Sequence, residues 1–197
     1  MGAFIVLEGI DGSGKTTVSR RVAEELSSRG FRVEVTAEPT HEGIGAFIRS
    51  GDAGKVSQRA ESLLFTADRY EHTAEIGRMV SEGAVVICDR YYASTIAYQS
   101  AKLDGDSADI AWLRGLCEPF ISEPDAVILL DLDPDASMSR VEVRGEAGSK
   151  FEEIGFLRQV RSAYLGLAED YGYRVVDASR SADEVFADVM AIIREVL

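Results

Sequence analysis

A short apolar run, Ala3 to Leu7, passes through Glu8 into Gly9-Ile10-Asp11-Gly12-Ser13-Gly14-Lys15-Thr16-Thr17, and a helix-like segment opens at Lys15. Gly9 to Thr16 meet the spacing G-x-x-x-x-G-K-[ST]. This stretch limits the possible folds more than any other, because it needs a strand before it and a helix after it. The chemistry follows from the residue types. Gly9, Gly12 and Gly14 let the backbone curl with N–H groups facing inward, a nest for phosphate oxygens. The next helix presents its positive end to the same anion. Lys15 suits the β- and γ-phosphates of ATP, and the Thr16 hydroxyl suits Mg²⁺. The residues expected around the ligand's phosphates here are therefore Gly9, Ile10, Asp11, Gly12, Ser13, Gly14, Lys15, Thr16 and Thr17.

A net charge of −13 opposes a polyanion over most of the surface, so no nucleic-acid partner is expected. A small phosphorylated ligand still binds if basic residues converge locally. No apolar run approaches the roughly 18 residues that span a bilayer, and nothing resembles a signal peptide. No membrane partner is expected. Cys88 and Cys117 are the two cysteines, read as buried small hydrophobes of a reduced, cytoplasmic protein. His41 and His72, the two histidines, read as surface or packing residues. A chain of 197 residues suggests one domain, 1–197.

Apolar periodicity predicts helices over 15–29, 44–50, 57–82, 93–102, 107–118, 135–143, 151–171 and 182–197. Strands are expected at 3–7, 31–36, 84–88, 126–130 and 173–176. A glycine-bearing stretch, 144–150, falls between two helices. Five strands alternating with helices indicate an α/β fold, a five-stranded parallel sheet with helices on both faces. Ligands of such sheets bind outside the carboxyl ends of the strands. Loop residues there suit that: Gly9–Lys15, Glu38-Pro39-Thr40, Asp89-Arg90 and Asp131–Asp133.

Three groupings have two readings each. Asp89 stands where such proteins carry an acid near Mg²⁺, and Arg90 beside it either grips a second phosphate or closes a strand end. In the long helix, Leu63, Ala67, Tyr70 and Ala74 form the expected core stripe. Phe65 and Arg69 lie on the other side, either as a base platform or as packing against another element. Arg140 and Arg144, with Lys150 beyond, are either a cationic cover over transferring phosphates or a solvated helix end.

The run Asp89-Arg90-Tyr91-Tyr92-Ala93-Ser94-Thr95-Ile96-Ala97-Tyr98-Gln99, with the loop, Glu38-Pro39-Thr40 and Leu64-Phe65-Thr66-Ala67-Asp68-Arg69, resembles thymidylate kinase over nearly the whole chain. That family has the P-loop nucleoside-monophosphate kinase fold with a short lid, here about 140–151. Its members pass the γ-phosphoryl group of ATP to dTMP and are typically homodimers built on the long helices. The resemblance makes Gly9 to Thr17 the ATP site. The resemblance implies Phe65 stacked on thymine, Arg69 at its O4 edge, and Arg90 on the dTMP phosphate. It implies Thr16, Asp89 and Glu38 around Mg²⁺, Asp11 on the 3′-hydroxyl, and Tyr98 against the 2′ position. Ser94, Thr95 and Gln99 are expected nearby. Lys15, Arg90, Arg140 and Arg144 are the expected catalytic cations. Arg49 is a further candidate for the dTMP phosphate, and Arg180 for the adenine side. Some members carry an arginine where this chain has Gly12, so it resembles the branch whose lid arginines supply that charge.

Overall fold

The computed structural model describes residues 2–103, 107–142 and 150–197. Its strands are β1 (Ala3–Glu8), β2 (Val33–Ala37), β3 (Val85–Asp89), β4 (Ala126–Asp131) and β5 (Arg174–Asp177). The helices are α1 (Lys15–Ser28), α2 (Gly43–Arg49), α3 (Gln58–Ser81), α4 (Tyr92–Lys102), α5 (Ser107–Cys117), α6 (Pro134–Glu142), α7 (Lys150–Tyr171) and α8 (Ala182–Val196). Arg144 and the glycine-bearing stretch before α7 lie outside the described residues, as does the Lys150 side chain.

The sheet runs β2-β3-β1-β4-β5, and every pairing is parallel. All six residues of β1 are buried, as an apolar run covered on both faces must be. β2 and β5 form the edges, where Val35 and Val175 stay half exposed. α1 packs beside α8, while α3, α4 and α7 lie together on the opposite face. Leu7 pairs with Asp89, and Asp89 with Ala37, so three strands stop at one level. Chain order reverses around β1, which places the crevice for a ligand at that end.

Element positions match the periodicity to within a few residues. β2 begins at Val33, after Phe31 and Arg32, and the link at 51–55 holds a short 3₁₀ turn, Asp52–Lys55. One expectation is reversed. Leu63 (52% exposed) and Tyr70 (59%) face outward with Ala67 and Ala74, while α3 buries Glu61, Ser62, Thr66, Asp68, Arg69, His72, Ile76 and Met79. The inner face is polar because it lines a polar site, so apolar spacing pointed the wrong way. Both cysteines are buried and free. His41 is exposed, and His72 is buried in a hydrogen-bonded network described below.

Candidate active site

The turn after β1 reaches conformations few side chains tolerate. Gly9 and Gly12 have φ of 145° and 75°. A Cβ at Gly9 would stand 2.6 Å from Leu130 O, and one at Gly12 would stand 3.0 Å from Ser137 O. Ser137 also donates to Asp11 O at 2.5 Å, fastening the loop to α6.

Lys15 is buried under this loop, donating to Gly9 O and Ile10 O, each at 2.9 Å, and to Ser13 Oγ at 3.4 Å. Burial first, and then the nearby Arg90, push its ammonium down to about 7. An anionic ligand in the nest would reverse that shift. Thr16 donates to Asp89 Oδ2 at 2.6 Å, across from the end of β3. The other carboxylate oxygen, Asp89 Oδ1, is buried without a partner. Thr17 is exposed on the first turn of α1.

Arg90 adopts φ 74°, a left-handed conformation that costs an ordinary residue on the order of 1 kcal/mol or more. Tyr91 N–H and Ser94 N–H bonded to Glu8, and Arg90 N–H bonded to Leu7 O, hold it there. The guanidinium is thereby aimed back at the loop. Nη1 donates to Gly9 O, and Nη2 to Asp11 Oδ1 at 2.5 Å and Tyr98 Oη at 3.3 Å. Partial burial pushes the Asp11 carboxyl up, but Arg90 and Lys15 outweigh it and hold it below the usual carboxylate range. Burial pushes the Tyr98 phenol up to about 12, so its proton stays on.

Beside Arg90 opens a cavity of about 230 Å³. Its lining contains Asp11, Glu38, Phe65, Arg69, Arg90, Ser94, Thr95, Tyr98 and Gln99, all but Arg49 of the residues nominated for the acceptor, together with Pro39, Tyr91 and Lys102. Arg69 is fully buried in its wall. Its Nη2 donates to Glu38 Oε2 at 2.6 Å and to Thr95 Oγ1 at 2.8 Å, while Nε has no partner. Glu38 Oε1 meets His72 Nδ1 at 3.0 Å, and His72 Nε2 meets Thr36 at 2.7 Å. Both Glu38 oxygens are therefore engaged, one by Arg69 and one by His72. The Glu38–Pro39 peptide is cis, and the turn is bolted to α3 by Thr40 N–H and Oγ1 on Asp68.

Among the cations, Arg140 joins the loop to the strand end beyond it, donating to Gly12 O at 3.3 Å and Ala178 O at 3.0 Å. Arg49 does not line the cavity; its Nε caps Pro39 O and Thr40 O. Arg180 is paired with Asp188 and Glu184 on the surface of α8. Sequence reasoning passed over Glu8, Asp68, Lys102, Ser137 and Tyr164. Glu8 carried a signal: a carboxylate closing an otherwise apolar buried strand needs donors waiting for it.

Comparison with known proteins agrees with this arrangement. A family profile described as "Thymidylate kinase" matches residues 7–189. A "Probable thymidylate kinase" of Pyrococcus horikoshii is 43% identical over 206 residues, covering 100% of this chain and 98% of the relative. Relatives of the same description from Pyrobaculum aerophilum and Archaeoglobus fulgidus are 42% and 39% identical, covering 99% and 98% of this chain and 98% and 96% of their own lengths. With its phosphate loop, Asp89-Arg90 strand end and adjoining cavity, this chain belongs to the thymidylate kinase family.

Proposed function

We propose that the protein transfers the γ-phosphoryl group of ATP to dTMP, giving dTDP and ADP, on the way to dTTP. The observation that carries this is the cavity: nine of the ten residues nominated for the acceptor line it, Arg49 being the exception, and Arg90 stands between it and the loop. The loop Gly9–Thr17 holds the triphosphate. Phe65 stacks on the base, and Arg69, tethered by Glu38, meets its O4 edge. Gln99, Thr95 and Ser94 complete the lining, and Tyr98 closes the space a ribose 2′-hydroxyl would need. Asp11 takes the 3′-hydroxyl once the acceptor phosphate has replaced it on Arg90.

A phosphate oxygen of dTMP attacks the γ-phosphorus as the bond from that phosphorus to the ADP oxygen breaks. The attacking monoester has its second pKa near ~6 and is largely dianionic at neutral pH, so no side chain needs to remove a proton. A hydroxyl acceptor would call for a general base. Glu8, the carboxylate before the loop, is fully buried and capped by four donors, which favours a monophosphate instead. The barrier lies in bringing two anions together and stabilising the charge spread between them. Lys15 and Arg90 supply fixed positive charge from the two sides, and Arg140 lies against the loop to add a third. Mg²⁺ fits at Thr16 and Asp89, where a buried carboxylate oxygen lacks a partner, and when bound it neutralises charge on the phosphates. Glu38 acts through Arg69. The expected lid contribution of Arg144 belongs to the same proposal.

The protein works as a homodimer in this proposal. The outward stripe of Leu63, Ala67, Tyr70 and Ala74 on α3, with Phe120 edge-on to Tyr70 at 5.5 Å, is apolar surface a second copy would cover. Sizing should give twice the chain mass, and Leu63→Glu with Tyr70→Glu should give one chain mass. A monomeric parent protein would remove the proposal. No described helix is long and apolar enough to cross a membrane, and two buried free thiols suit the cytoplasm. Acceptor-dependent ADP release tests the transfer itself.

A further inference from the structure

Glu8 ends β1 with its side chain wholly buried, one residue before the phosphate loop. Its Oε1 accepts from Tyr91 N–H at 2.8 Å and Ser94 N–H at 3.2 Å. Its Oε2 accepts from the Ser94 hydroxyl at 2.6 Å and from the Tyr164 hydroxyl, brought in by α7, at 3.0 Å. Those two hydroxyl oxygens lie 2.7 Å apart. Arg90 Nη1 reaches both, at 3.2 Å and 3.4 Å, besides Gly9 O at 3.2 Å.

Proton counting gives this cluster a direction. Each hydroxyl has one proton, and Arg90 has only donors. The three oxygen–oxygen contacts among Glu8, Ser94 and Tyr164 take up both hydroxyl protons in any assignment. None points at Arg90, so both oxygens turn lone pairs toward its Nη1. Nη2, on the other side of the fork, is held among the described residues by Asp11 and Tyr98 alone, at the open end.

We propose that Glu8 is a positioning residue for the acceptor phosphate. It sets the direction of the Ser94 and Tyr164 protons, which pins one arm of Arg90 against the loop and leaves the other free to exchange Asp11 for phosphate. The proposal rests on the phosphoryl-transfer reading above, since it assigns Arg90 to the acceptor.

Glu8→Gln tests it, because an amide of the same shape has only one way to sit. Its carbonyl must face the two backbone N–H groups, so its NH₂ faces Ser94 and Tyr164; their mutual contact keeps one hydroxyl proton, and the other is driven toward Arg90. The expected result is a rise in KM for dTMP of about ten-fold or more, with KM for ATP within about two-fold. Ser94→Ala placed on top should add less loss than it causes alone, since it removes one misdirected proton. Should Glu8→Gln fold poorly, Tyr164→Phe, which deletes one acceptor, should still raise KM for dTMP selectively. An independent readout needs no turnover. Nitrogen NMR of the arginine side chains should show slow rotation of the Arg90 guanidinium in the parent protein, lost in Glu8→Gln. Equal changes in both KM values, fully additive losses with Ser94→Ala, or unchanged Arg90 signals would each overturn the proposal. A parent protein that phosphorylates no monophosphate would instead overturn the transfer reading, and the NMR comparison would still decide the role of Glu8.

Discussion

Lys15→Ala should lower kcat by at least two to three orders of magnitude while leaving the fold nearly as stable. The loss corresponds to roughly 3 kcal/mol or more of barrier reduction, the size of one well-placed donor on developing negative charge. The stability side follows from what Lys15 touches. Of the two carbonyls its ammonium caps, Gly9 O also receives Arg90, and Ile10 O also receives Ser13 N–H. Neither is orphaned by the substitution. The ammonium itself is held in a position that disfavours its charge, so its removal relieves as well as deprives the empty loop. Steady-state kinetics beside a thermal melt separate the two effects. An enzyme that stayed active with alanine at this position would contradict the loop assignment.

Arg69 is the second large effect, and here stability and recognition fall together. Arg69→Ala leaves Glu38 buried without the guanidinium that pairs with it, and breaking a buried pair costs about 3–5 kcal/mol. For a chain of this size that lowers Tm by about 6–20 °C. Weak dTMP use by this variant would be ambiguous for that reason. Arg69→Met with Glu38→Gln removes both charges, and the melt should recover most of the loss. In that double variant KM for dTMP should remain raised about ten-fold or more, as for one lost charged hydrogen bond, while KM for ATP moves within about two-fold. Equal damage to both nucleotides would take Arg69 out of the base site.

Most of the sheet was legible in the residues, because buried parallel strands are near-continuous apolar runs and their carboxyl ends carry the loop residues. The lining of the cavity beside Arg90 was legible too, through the resemblance that named Phe65, Arg69, Arg90 and Tyr98 together. On α3 the usual sorting of apolar inside and polar outside is inverted, since Thr66, Asp68, Arg69 and His72 face a polar site and Leu63 and Tyr70 face out. Spacing measures sidedness and cannot say which side is wet. Glu38, set near the metal by the resemblance, holds Arg69 and His72, contacts that its place at a strand end did not announce. Arg180 follows the last strand as an adenine contact would, and its neighbours Glu184 and Asp188, one and two turns along α8, hold it on the surface.

ADP release measured with ATP and a panel of nucleoside monophosphates tests the central claim most directly. The expected outcome is release that depends on acceptor and is fastest with dTMP, with ribonucleoside monophosphates far behind if Tyr98 and Asp11, which line the cavity, take the sugar as proposed. ADP release that is independent of any monophosphate, or faster with another base than with thymine, would contradict it.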